Sequence, residues 1–301
     1  MKYAQVDWSL NFNLWRVAAY YLQRGVTWPL PRAAAIAVLR RAAGGCPATG
    51  PSTWPGIDSA LATLRAEGIA PLGQLLGAHE CAEITTFLRD KPLAHRSFSG
   101  GAFTLASRPP QVLLGDHALA DLVQCPHILR LANSPALLDL ARRFIGCTPT
   151  ISGLSARWSF PGESSTETVQ QFHRDSEDWK AFRVMVYLSD VDDGSGPHVY
   201  IPRTQGDRHG SHLKVVCGSE IEQRFGAQRI VRQLGRRGTG FAVDTAGLHK
   251  GELPRTAPRL LLSFQYSILP CYLYEYQPVG VPTLRYDPYI NRLIVYQIGP
   301  R

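Results

Sequence analysis

The sequence predicts a mainly β protein with α-helices, a β-sandwich or barrel buttressed by a helical first half. Three observations carry this. Apolar residues recur at helical spacing up to about residue 145, and from about residue 148 they recur at period two. The chain has 301 residues with 45% hydrophobic content, enough for a sizeable core without disulfide or metal staples.

The elements follow in order. LWRVAAYYL (14–22) has a helical apolar face, and PRAAAIAVLRRAAGG (31–45) opens with proline at a first-turn position and closes on glycine. GGCPATGPSTWPG (44–56) is dense in Gly, Pro, Ser and Thr and reads as a linker. Residues 57–90 predict helix, short strand, helix, punctuated by Gly68 and Gly73. Further helices are expected over 117–132 and 134–145, the second with Ser134 as cap and Pro135 at its first position. Strands are expected in TISGLSARWSF, AFRVMVYLSDV, GPHVYIP, GTGFAVDTAGLH and RLLLSFQYSIL, with one helix over 218–230 among them. Helices before and antiparallel strands behind are what a helix-buttressed sandwich or barrel requires.

Composition narrows the class of function. The formal charge is +8, but the 32 cations are spread along the chain and form no basic block, so no nucleic-acid partner is expected. No apolar run approaches the roughly 20 residues that cross a bilayer, so no membrane partner is expected. The opening MKYAQVDWSLNFNLW lacks the pattern of a secretory signal, and the six cysteines show no CxxC spacing. The expectation is a cytoplasmic protein with free thiols, monomeric or homodimeric.

The chemistry centres on QFHRDSEDW (171–179). In a strand, residues two apart face the same side, so His173 and Asp175 can converge on one ion. The strand-like run from 239 ends in His249. Two imidazoles and a carboxylate occupy one face of an octahedral ion and leave the other open, the set that suits non-haem Fe(II). Ten residues further on, Arg259 opens the next strand after the turn-rich GELPRTAP, which places its guanidinium deeper in the same cavity, able to grip a carboxylate. Arg255 lies within the turn and is expected in solvent.

HRD at 173–175, YLSDVDDGSGPHVYIPRTQG at 187–206 and LHKGELPRTAPR at 248–259 together resemble the phytanoyl-CoA dioxygenase-like family of Fe(II)- and 2-oxoglutarate-dependent oxygenases. LRAEGIAPLGQLLGAHECAEITTFL resembles that family's entry helix, strand and helix, so the resemblance spans roughly residues 57–270. It implies a double-stranded β-helix (jelly-roll, cupin-like) core over 56–301 behind a helical N-terminal extension over 1–55. It implies that His173, Asp175 and His249 bind the iron and act as the catalytic centre. Arg259 would pair with the distal carboxylate of 2-oxoglutarate, and O2 would be the oxidant. Asp175 is the residue that halogenating members replace, so hydroxylation or a related oxidation of a small molecule, a specialised metabolite or an amino-acid-like compound, is expected. One departure stands out: Arg203, Thr204 and Gln205 occupy the turn where the family usually has Gly-Ser-His. A second function class, a barrel that binds metal or ligand without catalysis as a sensor or assembly module, stays open.

Around the motif, Trp158 and Trp179 are candidates for the substrate wall or for core packing, and Phe172 is expected in the core. Gln170 or Gln171 could hydrogen-bond co-substrate or substrate. His198, His209 and His212 lie in a loop-rich stretch and are expected at the surface. Asp190, Asp192 and Asp193 lack calcium-loop spacing and read as a solvated turn.

Overall fold

In the computed structural model, which describes residues 2–3, 13–26, 28–45, 50–95, 98–163, 168–175, 177–206 and 216–299, the chain before residue 148 supplies most of the helices and three strands of the larger of two facing sheets, and the chain after it supplies the other strands of both. β1 (Lys2–Tyr3), α1 (Asn13–Gly25) and α2 (Pro29–Ala42) come first. α3 (Ile57–Glu67), β2 (Ile69–Gln74) and α4 (Ala78–Leu88) form the expected helix, strand, helix unit. Then come β3 (Leu93–Ala94), β4 (Leu114–His117), α5 (Leu119–Gln124), α6 (Ile128–Ala132) and α7 (Pro135–Ile145). The second half contains β5 (Thr150–Ser159), β6 (Ala181–Tyr187), β7 (His198–Tyr200), α8 (Gly218–Phe225), β8 (Val231–Gln233), β9 (Thr239–Val243), β10 (His249–Gly251) and β11 (Arg259–Ser267). Short β12 (Tyr274–Glu275), β13 (Val279–Val281), α9 (Pro288–Asn291) and β14 (Val295–Gln297) close the chain.

The large sheet has the order β2-β9-β6-β11-β5-β4-β3, antiparallel throughout. The small sheet has the order β10-β7-β8, and a bridge between His173 and His249 adds the segment carrying the HRD motif to its edge. From β5 to β11 the chain passes back and forth between the two sheets, which is the winding of a double-stranded β-helix. That arrangement leaves a space between the sheets into which both contribute side chains.

Strand parity decides what faces that space. On β11, the even-numbered Leu260, Leu262, Phe264 and Tyr266 are fully buried in one apolar cluster with Leu64 of α3 and Leu140 and Phe144 of α7. Each such side chain contributes about 1.5–3 kcal/mol through burial. The odd-numbered Leu261 instead joins Met185 and Tyr187 of β6 and Phe241 and Val243 of β9 in a separate cluster between the sheets. α7 presents Leu137, Leu140, Ala141, Phe144 and Ile145, the i, i+3, i+4 spacing of an amphipathic helix, to the outer face of the large sheet.

The first two helices pack against this body. Ile36 and Leu39 of α2 lie on the main apolar cluster, and Arg40 Nε donates to the Ile145 carbonyl at 2.5 Å, satisfying the exposed end of α7. Gly146, at φ +86, is required there, because a Cβ would lie 2.8 Å from Arg40 Nε.

Three sequence expectations change. The expected helix over 117–132 breaks into α5 and α6 around Pro126, whose ring cannot continue a helix. The single strand expected over 238–249 is two strands in different sheets, β9 and β10, joined by a turn in which Gly247 N donates to Asp244 O at 3.0 Å. Ser134 stands at the N-cap position of α7 with extended backbone, but its side chain makes no capping bond. The described cysteines are free thiols, while Cys46, His209 and His212 lie outside the described residues. Among the described residues no helix is long and apolar enough to cross a membrane.

Candidate metal centre

The HRD segment and β10 are joined by a reciprocal pair of backbone hydrogen bonds, His173 N to His249 O and His249 N to His173 O, both 3.0 Å. Residues directly opposite in an antiparallel pair project to the same side, so the two imidazoles emerge together. Their ring centroids are 4.4 Å apart. Asp175 is fixed by its own backbone N–H, which donates to Thr245 O at 2.8 Å. Its Oδ1 lies 3.7 Å from His173 Nε2 and its Oδ2 3.9 Å from His249 Nε2. The three ligand atoms fall within 4.8 Å of one another, and this is the single such group among the described residues.

The tautomers are set locally. His173 Nδ1 donates to the Gln171 carbonyl at 2.8 Å and His249 Nδ1 to the Gly247 carbonyl at 2.9 Å. A carbonyl only accepts, so each Nδ1 carries a proton, and each Nε2 is the ring atom turned towards Asp175. Burial, with His173 nearby, pushes the His249 pKa down to about 4, so the ring stays neutral and able to ligate. Burial alone would raise the Asp175 carboxyl, but Arg183 together with the two histidines outweighs it and holds the carboxyl at about 2. Two imidazoles beside a carboxylate are the donor set that a divalent first-row metal takes with positions to spare.

Arg174, between the two ligands, points the other way. Its Nη1 donates to the Thr204 and Ala246 carbonyls, the latter at 2.7 Å, pinning the turn that delivers His249. The Arg203-Thr204-Gln205 departure also has a structural reading. Arg203 takes the left-handed conformation at φ +64, held by a bidentate pair with Glu67. Thr204 Oγ1 accepts from Leu248 N at 2.8 Å, one residue before the ligand. Gly247 cannot carry a side chain, since its Cβ would sit 1.9 Å from Tyr200 Oη.

Sequence reasoning missed the residues behind Asp175. Arg183 of β6 donates to Asp175 Oδ2 at 3.3 Å and to Glu177 Oε2 at 2.8 Å, and Glu177 also accepts from the Tyr274 hydroxyl. The two carboxylates raise the Arg183 pKa against the effect of burial. A lone arginine at the parity of Met185 and Tyr187 in AFRVMVY was the available signal. Glu177 follows an irregular segment and offered none.

Arg259 lies at the start of β11, 4% exposed, with its Nη2 donating to Ser159 Oγ at 3.1 Å. It reaches the small sheet: a Cβ on Gly251 of β10 would lie 2.9 Å from Nη2. Its Nε and Nη1 are buried without a hydrogen-bond partner, and no carboxylate among the described residues forms an ion pair with it. Burial lowers its pKa. A buried cation without a counter-ion is costly to keep, and the site therefore fits an acidic ligand reaching from the triad.

The remaining candidates divide. Trp179 lines a shallow recess together with Asp175, Glu177, Lys180, Asp244 and Arg32. Arg32 comes from α2 and donates to the carbonyls of Asp178 and Trp179 at 3.1 and 2.7 Å. Trp158 has the parity of Leu260 and packs between the main apolar cluster and a second one around Phe160, stacking on that ring at 6.0 Å. It therefore has the parity of the sheet face opposite Arg259. Phe172 is in a core cluster with Val199, Ile201 and Leu248, as parity requires. Of the two glutamines, Gln171 supplies the carbonyl that orients His173, while Gln170 is buried with both amide atoms unpartnered. Asp192 accepts from Gly194 N and Ser195 N, a turn as expected.

His198 overturns its expectation. It lies on β7 at 3% exposure, its ring 5.6 Å from that of His249 and 5.5 Å from that of Phe241. Burial, with His249 and Arg259 nearby, pushes its pKa well below the usual histidine range. The glycine- and proline-rich flanks suggested a loop, whereas the alternation His198, Tyr200 was the signal for an inward face.

No protein-family model and no curated protein matches the chain. Solved structures do. The epimerase SnoN in complex with Fe3+, alpha ketoglutarate and nogalamycin RO is similar over 77% of this chain and 94% of its own, at 16% identity and a TM-score of 0.51. EctD from S. alaskensis with 2-oxoglutarate and 5-hydroxyectoine is similar over 84% and 92%, at 20% identity and a TM-score of 0.50. At these identities the likeness is one of fold.

Proposed function

We propose that this chain is an Fe(II)- and 2-oxoglutarate-dependent oxygenase that oxidises a C–H bond of a small organic molecule. The observation that carries the reading is the combination of the open-faced His173, Asp175 and His249 set with a buried, uncompensated guanidinium, Arg259, in the same space between the sheets. The fold likeness to structures holding iron and alpha ketoglutarate, or 2-oxoglutarate, supports it.

His173 Nε2, His249 Nε2 and an Asp175 oxygen would hold the metal. Bound there with 2-oxoglutarate and O2, it would supply an oxidant able to take hydrogen from carbon, releasing succinate and CO2. The protein's own part is positional. Arg183 holds one Asp175 oxygen, so the carboxylate presents a fixed edge to the ion. Arg259, buried at the start of β11, would neutralise the distal carboxylate of the co-substrate. Trp179 and the recess beside Asp175 would border the substrate, a small molecule such as a specialised metabolite or an amino-acid-like compound.

The test is spectroscopic. Under anaerobic conditions Fe(II) with 2-oxoglutarate should give a weak visible charge-transfer band, lost in Asp175→Ala and weakened in Arg259→Ala. Intact protein that gives no band refutes the oxygenase reading and leaves a binding barrel in its place.

A further inference from the structure

The interior between the sheets holds a second polar group whose chemistry the triad and Arg259 do not use. His198 stands opposite Gly251 in the β7–β10 register, and Gly251 is the residue against which the Arg259 guanidinium rests. Its backbone N–H donates to the Tyr187 hydroxyl at 3.0 Å, and that hydroxyl in turn donates to Gln233 O at 2.7 Å. The main chain at His198 is thus tied to both sheets. The ring lies over His249 on one side and Phe241 on the other. Its Nε2 is buried and has no hydrogen-bond partner among the described residues. Arg259 Nε and Nη1 share that condition, so the two groups do not satisfy each other. Buried polar atoms left unpaired cost free energy, and two such groups on neighbouring positions of the same interior mark a shared acceptor.

We propose that His198 is a second binding residue for the co-substrate, its Nε2–H donating to the same distal carboxylate that Arg259 neutralises. The inference rests on the 2-oxoglutarate reading and deepens it. Arg259 supplies the charge, and His198 adds a directed donor from the opposite sheet. A 2-oxo acid must then carry a second carboxylate at the right reach to satisfy both. The site would discriminate against 2-oxo acids with an alkyl end, because those leave two buried donors unpaired.

The experiment is an equilibrium titration of Mn(II)-loaded protein with 2-oxoglutarate and, separately, with 2-oxopentanoate, which keeps the chelating end and lacks the distal carboxylate. His198→Leu should weaken 2-oxoglutarate binding about tenfold to a hundredfold, the size of one lost charge-assisted hydrogen bond. It should leave 2-oxopentanoate within about twofold of wild type. His198→Gln, which keeps a donor, should retain most of the 2-oxoglutarate affinity. Mn(II) affinity and the thermal melt of each variant report whether His249 and the fold are intact, and His198→Phe, which also lacks a donor, takes the place of His198→Leu if that variant fails to fold. Unchanged 2-oxoglutarate binding in His198→Leu overturns the proposal, and so does an equal loss for both acids, which would mark a packing role under His249. Wild-type protein that takes up Mn(II) but binds neither acid overturns the co-substrate reading itself.

Discussion

Replacing Arg259 by methionine should make the ligand-free protein more stable while abolishing its response to 2-oxoglutarate. Most substitutions of buried residues destabilise, so the expected sign is informative. In the wild type, Nε and Nη1 are buried without partners among the described residues, and each such atom costs about 1–3 kcal/mol. Among the described residues no carboxylate pairs directly with the charge, and Glu252 offsets its desolvation only from a distance. Methionine keeps an unbranched apolar stem and loses the bond to Ser159 Oγ, worth about 1 kcal/mol. The net is a gain of about 1–5 kcal/mol, or a melting temperature about 2–8 °C higher. Adding 2-oxoglutarate at a hundred times its Kd to the Mn(II)-loaded wild type should contribute about 2.7 kcal/mol, and nothing to the variant. Thermal melts by circular dichroism with and without the acid measure both effects. A variant less stable than wild type by more than about 1 kcal/mol would show that Arg259 is already satisfied. A variant that still shifts with 2-oxoglutarate would show that the anchor lies elsewhere.

Removing Arg183 should do the opposite. Arg183→Met leaves Asp175 and Glu177 facing each other in a buried site, and unfolding in guanidinium should report a loss of about 3–5 kcal/mol, partly restored by divalent metal. Acid should weaken the protein in a defined window. Burial pushes His117 down to about 4, so on acidification the unfolded chain binds its proton first, near 6.5. The neutral ring's contribution is therefore whole above 6.5 and is lost as pH falls towards 4. His117→Leu should flatten that part of the stability profile by about 3 kcal/mol, measured as unfolding free energy at pH 7 and pH 4. A variant that tracks wild type across the window would show that His117 is solvated.

How much of this was legible in the chain depends on parity. His173 and Asp175 could be paired from sequence because a strand repeats every two residues, and His249 and Arg259 because a turn-rich segment separates them. The same rule, applied to RLLLSFQYS and SARWS together, separates Trp158 from Arg259, but only once the register Leu260 to Trp158 is known. Register is a long-range fact, set by which strands pair, and no local pattern contains it. His198 was misplaced for a related reason. A three-residue strand flanked by Gly196, Pro197 and Pro202 has too little alternation to outweigh its turn-forming neighbours. The Arg183, Glu177 and Tyr274 network joins three separate segments of chain, so only Arg183 could have been suspected beforehand.

Strand β11 separates two kinds of evolutionary freedom at single-residue resolution. Leu260, Leu262, Phe264 and Tyr266 are answerable to the helices, so exchanges there should be tolerated in order of retained volume, whatever compound the protein handles. Their neighbours Leu261, Ser263 and Gln265 answer to the interior and can drift with the compound while the scaffold persists. A saturation library along this strand, scored once for abundance and once for turnover, should therefore give two profiles that alternate out of phase. New specificities could be sought on one comb of teeth without disturbing the other.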